Sequence, residues 1–280
     1  MLDLSTWTDI SSHQNAYQPH IGQQGVSIEF QKMVDHGVTG VCIRKSLGKL
    51  HDAWFEDNWQ KAGDVGLKRT VYCVPFVAYD MQAQHAAMIS WPSGGVFDDK
   101  CDIPAWDDVE RRHNLHPSIA ISRLLPYHYD MQGIFGAAEF YTAKYVWQDY
   151  YSKKPGWQKD WGLVVASYRP DLYHLPVEDL RLLVAKQEIW PQLPIGWARD
   201  KAGNLIPIDL AWEQWQISAD QNNLGPAYGV QSDSIDISFR QGAVGTLPPD
   251  DSVLEDLVVA LRQAWGEMGV IITDIEHEVE

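Results

Sequence analysis

The stretch PAWDDVE, residues 104–110, sets three carboxylates, Asp107, Asp108 and Glu110, into four positions. At the end of a β-strand, residues two apart point to the same side. Asp108 and Glu110 then share a face, while Asp107 and Val109 turn the other way. Two carboxylates that close cannot both ionise cheaply, so one of them holds its proton to a higher pH. A protonated acid beside an ionised one is the equipment for cleaving a glycosidic bond. A calcium loop is the competing use of such acids. Counted from Asp98, its third, sixth and twelfth positions are Lys100, Ile103 and Val109, where oxygen ligands and a glycine are needed. His113 and His116, three apart in HNLH, are expected to be solvated. No metal site is expected.

Bulk properties narrow the class. The chain has 280 residues and a formal net charge of −16, which disfavours nucleic acid and anionic lipid as partners. No apolar run is long enough to span a bilayer. Cys42, Cys73 and Cys101 are widely spaced, with no disulfide framework and no zinc pattern. The segment MLDLSTWTDISSHQ lacks the basic and apolar regions of a signal peptide, so none is expected. Thirteen tryptophans and twelve tyrosines suit a core, and they also suit a carbohydrate site, where sugar C–H faces stack on rings.

A lone D-x-E is common, so the elements that position it matter. GVTGVCIRKS (37–46) reads as a buried strand, and 52–66 as a helix with Trp54, Phe55, Trp59 and Ala62 on one face. Residues 67–79 give a strand, 81–90 a helix and 102–110 a strand. Residues 118–134 read as a helix broken at Pro126. Strands are expected at 137–147, 161–168, 211–218 and 234–239. This alternation implies parallel strands with helical crossovers. The expected fold class is α/β, a TIM-like (β/α) barrel of irregular form, with a C-terminal helical tail. No dinucleotide or P-loop fingerprint supports an open doubly wound sheet.

Two segments break the rhythm. Residues 171–210 are long for one connection, with a helix in VEDLRLLVAKQEI and a hairpin in ARDKAGNLIPI turning at Gly203-Asn204. After Pro248-Pro249, a helix over 251–269 repeats apolar residues at 253, 254, 257, 258, 261 and 265. That stripe is expected to pack on the barrel or to join copies of the chain. The domain reading is therefore 1–244 as a barrel carrying 171–210 as an insertion, and 245–280 as a tail.

Further fragments lift the acidic pair above chance. DISSHQ brings Asp9, Ser11 and Gln14; WEQWQIS brings Trp212, Trp215 and Gln216; SIDISF brings Ile235, Asp236 and Phe239. With Asp108 and Glu110 between them, this ordered set resembles the glycoside hydrolase family 25 lysozymes, the Chalaropsis-type muramidases. Weaker matches are IRKSLG (43–48), then Asp52, Phe55, Asn58 and Ala62, then Gly66-Leu67 with Tyr72, FYT (140–142) and VASY (165–168). The likeness spans roughly residues 5–242. Thr8, Arg44, Leu47 and Cys73 depart from the family's usual Gly, Lys, Glu and His.

The resemblance implies an N-acetylmuramidase that cleaves the β-1,4 bond between N-acetylmuramic acid and N-acetylglucosamine in a peptidoglycan strand, with no cofactor. It implies Glu110 as general acid/base, Asp108 assisting, and Asp9 and Asp236 completing an acidic floor. It sets Tyr72, Tyr141, Tyr168 and Trp215 at the groove as sugar-stacking residues, and Arg44 in place of a substrate-contacting lysine. Asp107 faces away, with no role. The expected setting is an endolysin held in the host cytoplasm until release to the cell wall, or a virion-associated lysin. The alternative is a catalytically weak glycan-binding or structural virion protein on the same fold.

Overall fold

The computed structural model describes residues 1–16, 22–110, 115–149, 162–193, 195–199, 205–209, 212–219 and 222–242. In chain order the elements are β1 (Leu4–Ile10), α1 (Phe30–Asp35), β2 (Gly40–Leu47), β3 (Leu50–His51), α2 (Phe55–Asp64) and β4 (Lys68–Val74). Next come α3 (Met81–Ile89), β5 (Ala105–Asp108), α4 (Pro117–Phe135), β6 (Ala138–Ala143), α5 (Lys144–Asp149), β7 (Leu163–Ala166) and α6 (Val177–Ala185). The last are β8 (Ile195–Arg199), β9 (Leu205–Asp209), β10 (Gln214–Ser218) and β11 (Asp236–Gln241).

Eight strands close into a barrel in the order β1-β2-β4-β5-β6-β7-β10-β11, with β11 returning to β1. Neighbours are parallel except at β11, which runs antiparallel to both β10 and β1. This is an irregular (β/α) barrel, and the reversed strand is its irregularity. Strand β3 folds back on β2 as a short hairpin, and among the described residues β8 pairs only with β9. That second hairpin matches the one expected in the long connection, and its turn at 203–204 lies outside the described residues. So does the whole tail from 243 onward, including the 251–269 helix.

The parallel strands are buried on both faces. β6 (AEFYTA) and β7 (LVVA) have no exposed position, as expected where helices cover a closed sheet. In α2 the buried face is Phe55, Asn58, Trp59 and Ala62. Asn58, rather than Trp54, completes that stripe, because its amide is satisfied by Asn15 at 2.9 and 3.2 Å. Helix α4 runs unbroken through Pro126. A lost backbone hydrogen bond disfavours that proline. A buried face including Ala120, Ile121, Leu124, Leu125 and Met131 holds the helix on β5 and β6 nonetheless. It ends at Gly136, in the left-handed region at φ 82°. Residues 144–147, expected as the end of a strand, belong instead to α5.

At the N-terminal end of the parallel strands, Arg240 donates two hydrogen bonds to the buried Glu139 carboxylate, at 2.7 and 2.8 Å. This fork occupies the end opposite the candidate site. Among the described residues, no helix is long and apolar enough to cross a membrane.

Candidate active site

The C-terminal ends of the parallel strands surround a cleft of about 200 Å³. Its carboxylates are Asp9, Asp108, Glu110 and Asp236; Tyr72, Trp106, Tyr141, Tyr168, Gln216 and Ala219 complete the lining. The strand directions explain the gathering. Asp9 is the penultimate residue of β1, and Asp108 is the last of β5, with Glu110 two residues beyond. Asp236 is the first residue of β11. Because β11 runs backwards, its beginning lies where its neighbours end, directly opposite Asp9.

Alternation sorts the PAWDDVE residues as the sequence suggests. Asp108 and Glu110 are half-buried and open to the cleft, while Asp107 and Val109 are buried on the outer side. Asp107 is not bland. Its carboxylate accepts a short hydrogen bond from His128 Nδ1 of α4, and both side chains are fully buried. The His128 ring stacks on Phe140 of β6, with centroids 4.1 Å apart. Burial pushes the Asp107 pKa up, and the histidine opposes that shift.

Within the cleft a chain of polar contacts fixes the acids. Tyr141 donates its hydroxyl proton to Gln216 Oε1 in a short hydrogen bond. That bond turns the amide nitrogen of Gln216 toward Asp9, where Nε2 donates to Oδ1 at 3.1 Å. Asp9 also shares a hydrogen bond with Asp236. Burial is the main cause that raises Asp9 to about 6; the charge of Glu110 adds to it, and the bonds from Asp236 and Gln216 oppose it. The Tyr141 and Tyr168 hydroxyls, 3.5 Å apart, are pushed up by burial and by the neighbouring carboxylates, so both stay protonated. Adjacent strands also build an aromatic wall. Trp106 stacks on Tyr141 with centroids 5.9 Å apart, and Tyr72 lies 6.5 Å from Trp106.

Such a site can present hydrogen-bond donors, an acid that keeps its proton up to about pH 6, and carboxylates facing a developing cation. Seven of the eight residues expected at the site line the cleft. Trp215 does not. It is fully buried and donates its Nε1 proton to the Ser167 carbonyl at 2.8 Å. The neighbouring Gln216 lines the cleft, so the alternation of β10 turns Trp215 outward to pack beside Trp212. Trp106 and Gln216 were legible by the same rule: Trp106 lies two residues before Asp108, and Gln216 sits inside a quoted motif. Arg44 is held by Asp52 at 2.8 Å and by Ser12 Oγ at 3.1 Å, and is not part of the lining. His116 caps α4, its Nδ1 accepting from Ser118 N at 3.3 Å; His113 lies outside the described residues.

The profile of glycosyl hydrolases family 25 matches residues 8–178, more than half of the chain. Among solved structures, a family GH25 lysozyme from Aspergillus fumigatus is similar at 18% identity and TM-score 0.56, covering 86% of this chain and 96% of that one. The lysozyme from Streptomyces coelicolor is similar at 17% identity and TM-score 0.57, covering 87% and 94%. The modular autolysin LytC from Streptococcus pneumoniae, solved in complex with a synthetic peptidoglycan ligand, is similar at 16% identity and TM-score 0.52, covering 84% and 46%. No curated protein sequence matches the chain.

Proposed function

The chain belongs to glycosyl hydrolase family 25, and from that premise we propose that it hydrolyses the β-1,4 bond between N-acetylmuramic acid and N-acetylglucosamine in peptidoglycan. The observation that carries this reading is the convergence of Asp9, Asp108, Glu110 and Asp236, from three separate strands, on one aromatic-walled cleft. Glu110 protonates the glycosidic oxygen as the bond breaks, and later takes a proton from water. Asp108, on the same face, stays ionised and stabilises the positive charge that develops on the sugar. Asp9 and Asp236 share a proton and, with Gln216, offer hydrogen bonds to sugar hydroxyls or hold the other two acids in place. Tyr72, Trp106, Tyr141 and Tyr168 present rings against sugar C–H faces.

The peptidoglycan ligand of the structurally similar autolysin supports this substrate class. We place the action at the bacterial cell wall, as an endolysin or virion-associated lysin. A glycan-binding protein on the same fold is the second reading. It is favoured by Arg44, whose guanidinium is spent on Asp52 and Ser12 where a substrate contact was expected. New reducing ends released from purified cell walls separate the two readings, because a binding protein releases none.

A further inference from the structure

A second hollow lies at the same end of the barrel. It has a volume of about 430 Å³ and lies between the β2–β3 hairpin and the segment linking β4 to α3. Its walls are Leu47, Leu50, Phe76 and Tyr79, with Lys49 and Asp80 at the lip. The hollow is built into the fold. Gly48, in the left-handed region at φ 58°, donates its N–H to the Val74 carbonyl at 2.8 Å. A Cβ at Gly48 would come within 2.8 Å of the Phe76 ring, so the glycine lets that ring close on the hairpin backbone. Leu50 and Tyr79 are 63% and 67% exposed, leaving the apolar wall open to a ligand.

The polar groups nearby are mostly committed. The Gln84 amide bonds both the N–H and the carbonyl of Phe76, at 2.6 and 3.0 Å. Asp80 Oδ1 caps α3, accepting from Gln82 N at 2.9 Å. A sugar ring dense in hydroxyls would find few partners there. Among the described residues no ion pair holds Lys49, so the lip offers a cation in a chain of net charge −16. Apolar walls with one available cation fit small aliphatic side chains followed by a carboxylate.

Phe76 follows the cleft residue Tyr72 by four positions, at most about 14 Å of extended chain. Three or four peptide residues cover the same distance. We infer that this hollow binds the short peptide carried on the lactyl group of muramic acid, with its alanine methyls against Phe76 and Tyr79 and a carboxylate at Lys49. This inference rests on the peptidoglycan reading of the cleft and adds a second point of recognition on the same substrate strand.

The test is direct binding by calorimetry. Two ligands are compared: the N-acetylglucosaminyl-N-acetylmuramyl disaccharide bearing its tetrapeptide, and the same disaccharide without peptide. The proteins are the intact chain and its Lys49→Glu and Tyr79→Ser variants. Both substituted side chains are exposed, so folding is retained. The expected result is at least tenfold tighter binding of the peptide-bearing ligand, an advantage that Lys49→Glu abolishes and Tyr79→Ser weakens while affinity for the peptide-free ligand stays the same. Equal affinity of the intact chain for the two ligands, a uniform loss on both ligands in the variants, or no binding of either ligand overturns the inference. The expected pattern in a protein that releases no reducing ends from cell walls leaves this inference standing and removes the hydrolase reading. Hydrolysis with no peptide preference does the reverse.

Discussion

Asp9 and Asp236 face each other as direct cross-strand partners where β1 meets the reversed strand β11, and they share a hydrogen bond. Like charges directly opposite each other in a sheet repel. The pair is tolerable because one proton serves both and Gln216 donates to Asp9. The cleft therefore holds an acid that stays protonated well above the usual carboxylate range, at a place fixed by the barrel's closure.

That proton has a signature in stability. Asp9 has its folded pKa raised to about 6, so between about pH 4 and 6 the folded state binds a proton that the unfolded state has released. Stability from this source is fully present below about pH 4 and is lost as pH rises through 6. Urea unfolding of wild type and Asp9→Asn at pH 4, 5, 6 and 7 should show wild type losing on the order of 2–3 kcal/mol relative to the variant across that window. A constant difference between the two would contradict the shared proton.

Asp107 and His128 form the opposite kind of pair, sealed between β5 and α4. Asp107→Ala leaves the histidine buried without its carboxylate and should cost about 3–5 kcal/mol in chemical denaturation. The folded fraction should bind a peptidoglycan fragment with unchanged affinity, because Asp107 does not line the cleft.

Trp215 and Tyr168 separate core from cleft. Trp215→Ala removes a fully buried indole and should destabilise by about 3–5 kcal/mol. Tyr168, 43% exposed, lines the cleft. Tyr168→Ala should leave the melting temperature within a few degrees and weaken glycan binding by about tenfold, or about 1.4 kcal/mol. Thermal melts and titrations on the same two variants check both halves.

Lys45 is a charged side chain with no exposure. Its Nζ donates to the Ser90 carbonyl at 2.7 Å and lies 4.5, 5.6 and 4.2 Å from the ring centroids of Phe55, Trp91 and Phe97. Burial lowers its pKa to about 8. Between about pH 8 and 10.5 the unfolded state keeps a proton that the folded state has released, so stability from this group rises with pH. Measured against Lys45→Met, wild type should gain on the order of 2–3 kcal/mol over that range. A flat difference would show that the ring faces and the carbonyl fully offset the burial.

The barrel and the Asp108–Glu110 pair were legible from short-range rules, and Asp9 and Asp236 from the ordered motifs of the family resemblance. Period-two alternation separates Asp108 and Glu110 from Asp107, and glycine-bounded apolar runs mark the parallel strands. Where tertiary packing outweighed local preference, sequence reading stopped short. Pro126 breaks helices in isolation, yet the apolar face of α4 carries it through. Trp215 is an aromatic beside a site residue, and only the phase of β10 reveals that it faces outward. The ties of Asp107 to His128 and of Lys45 to its ring cage join residues 10 or more positions apart through the folded core, and no local pattern announces them.

The central claim is that Glu110 donates the proton that breaks the glycosidic bond. Reducing ends released from purified peptidoglycan by wild type and by Glu110→Gln, with folding checked by thermal melting, measure this directly. The account predicts release by wild type and a loss of at least about 100-fold in a stably folded Glu110→Gln. Release by the variant at more than a tenth of the wild-type rate, or none from wild type, would contradict it.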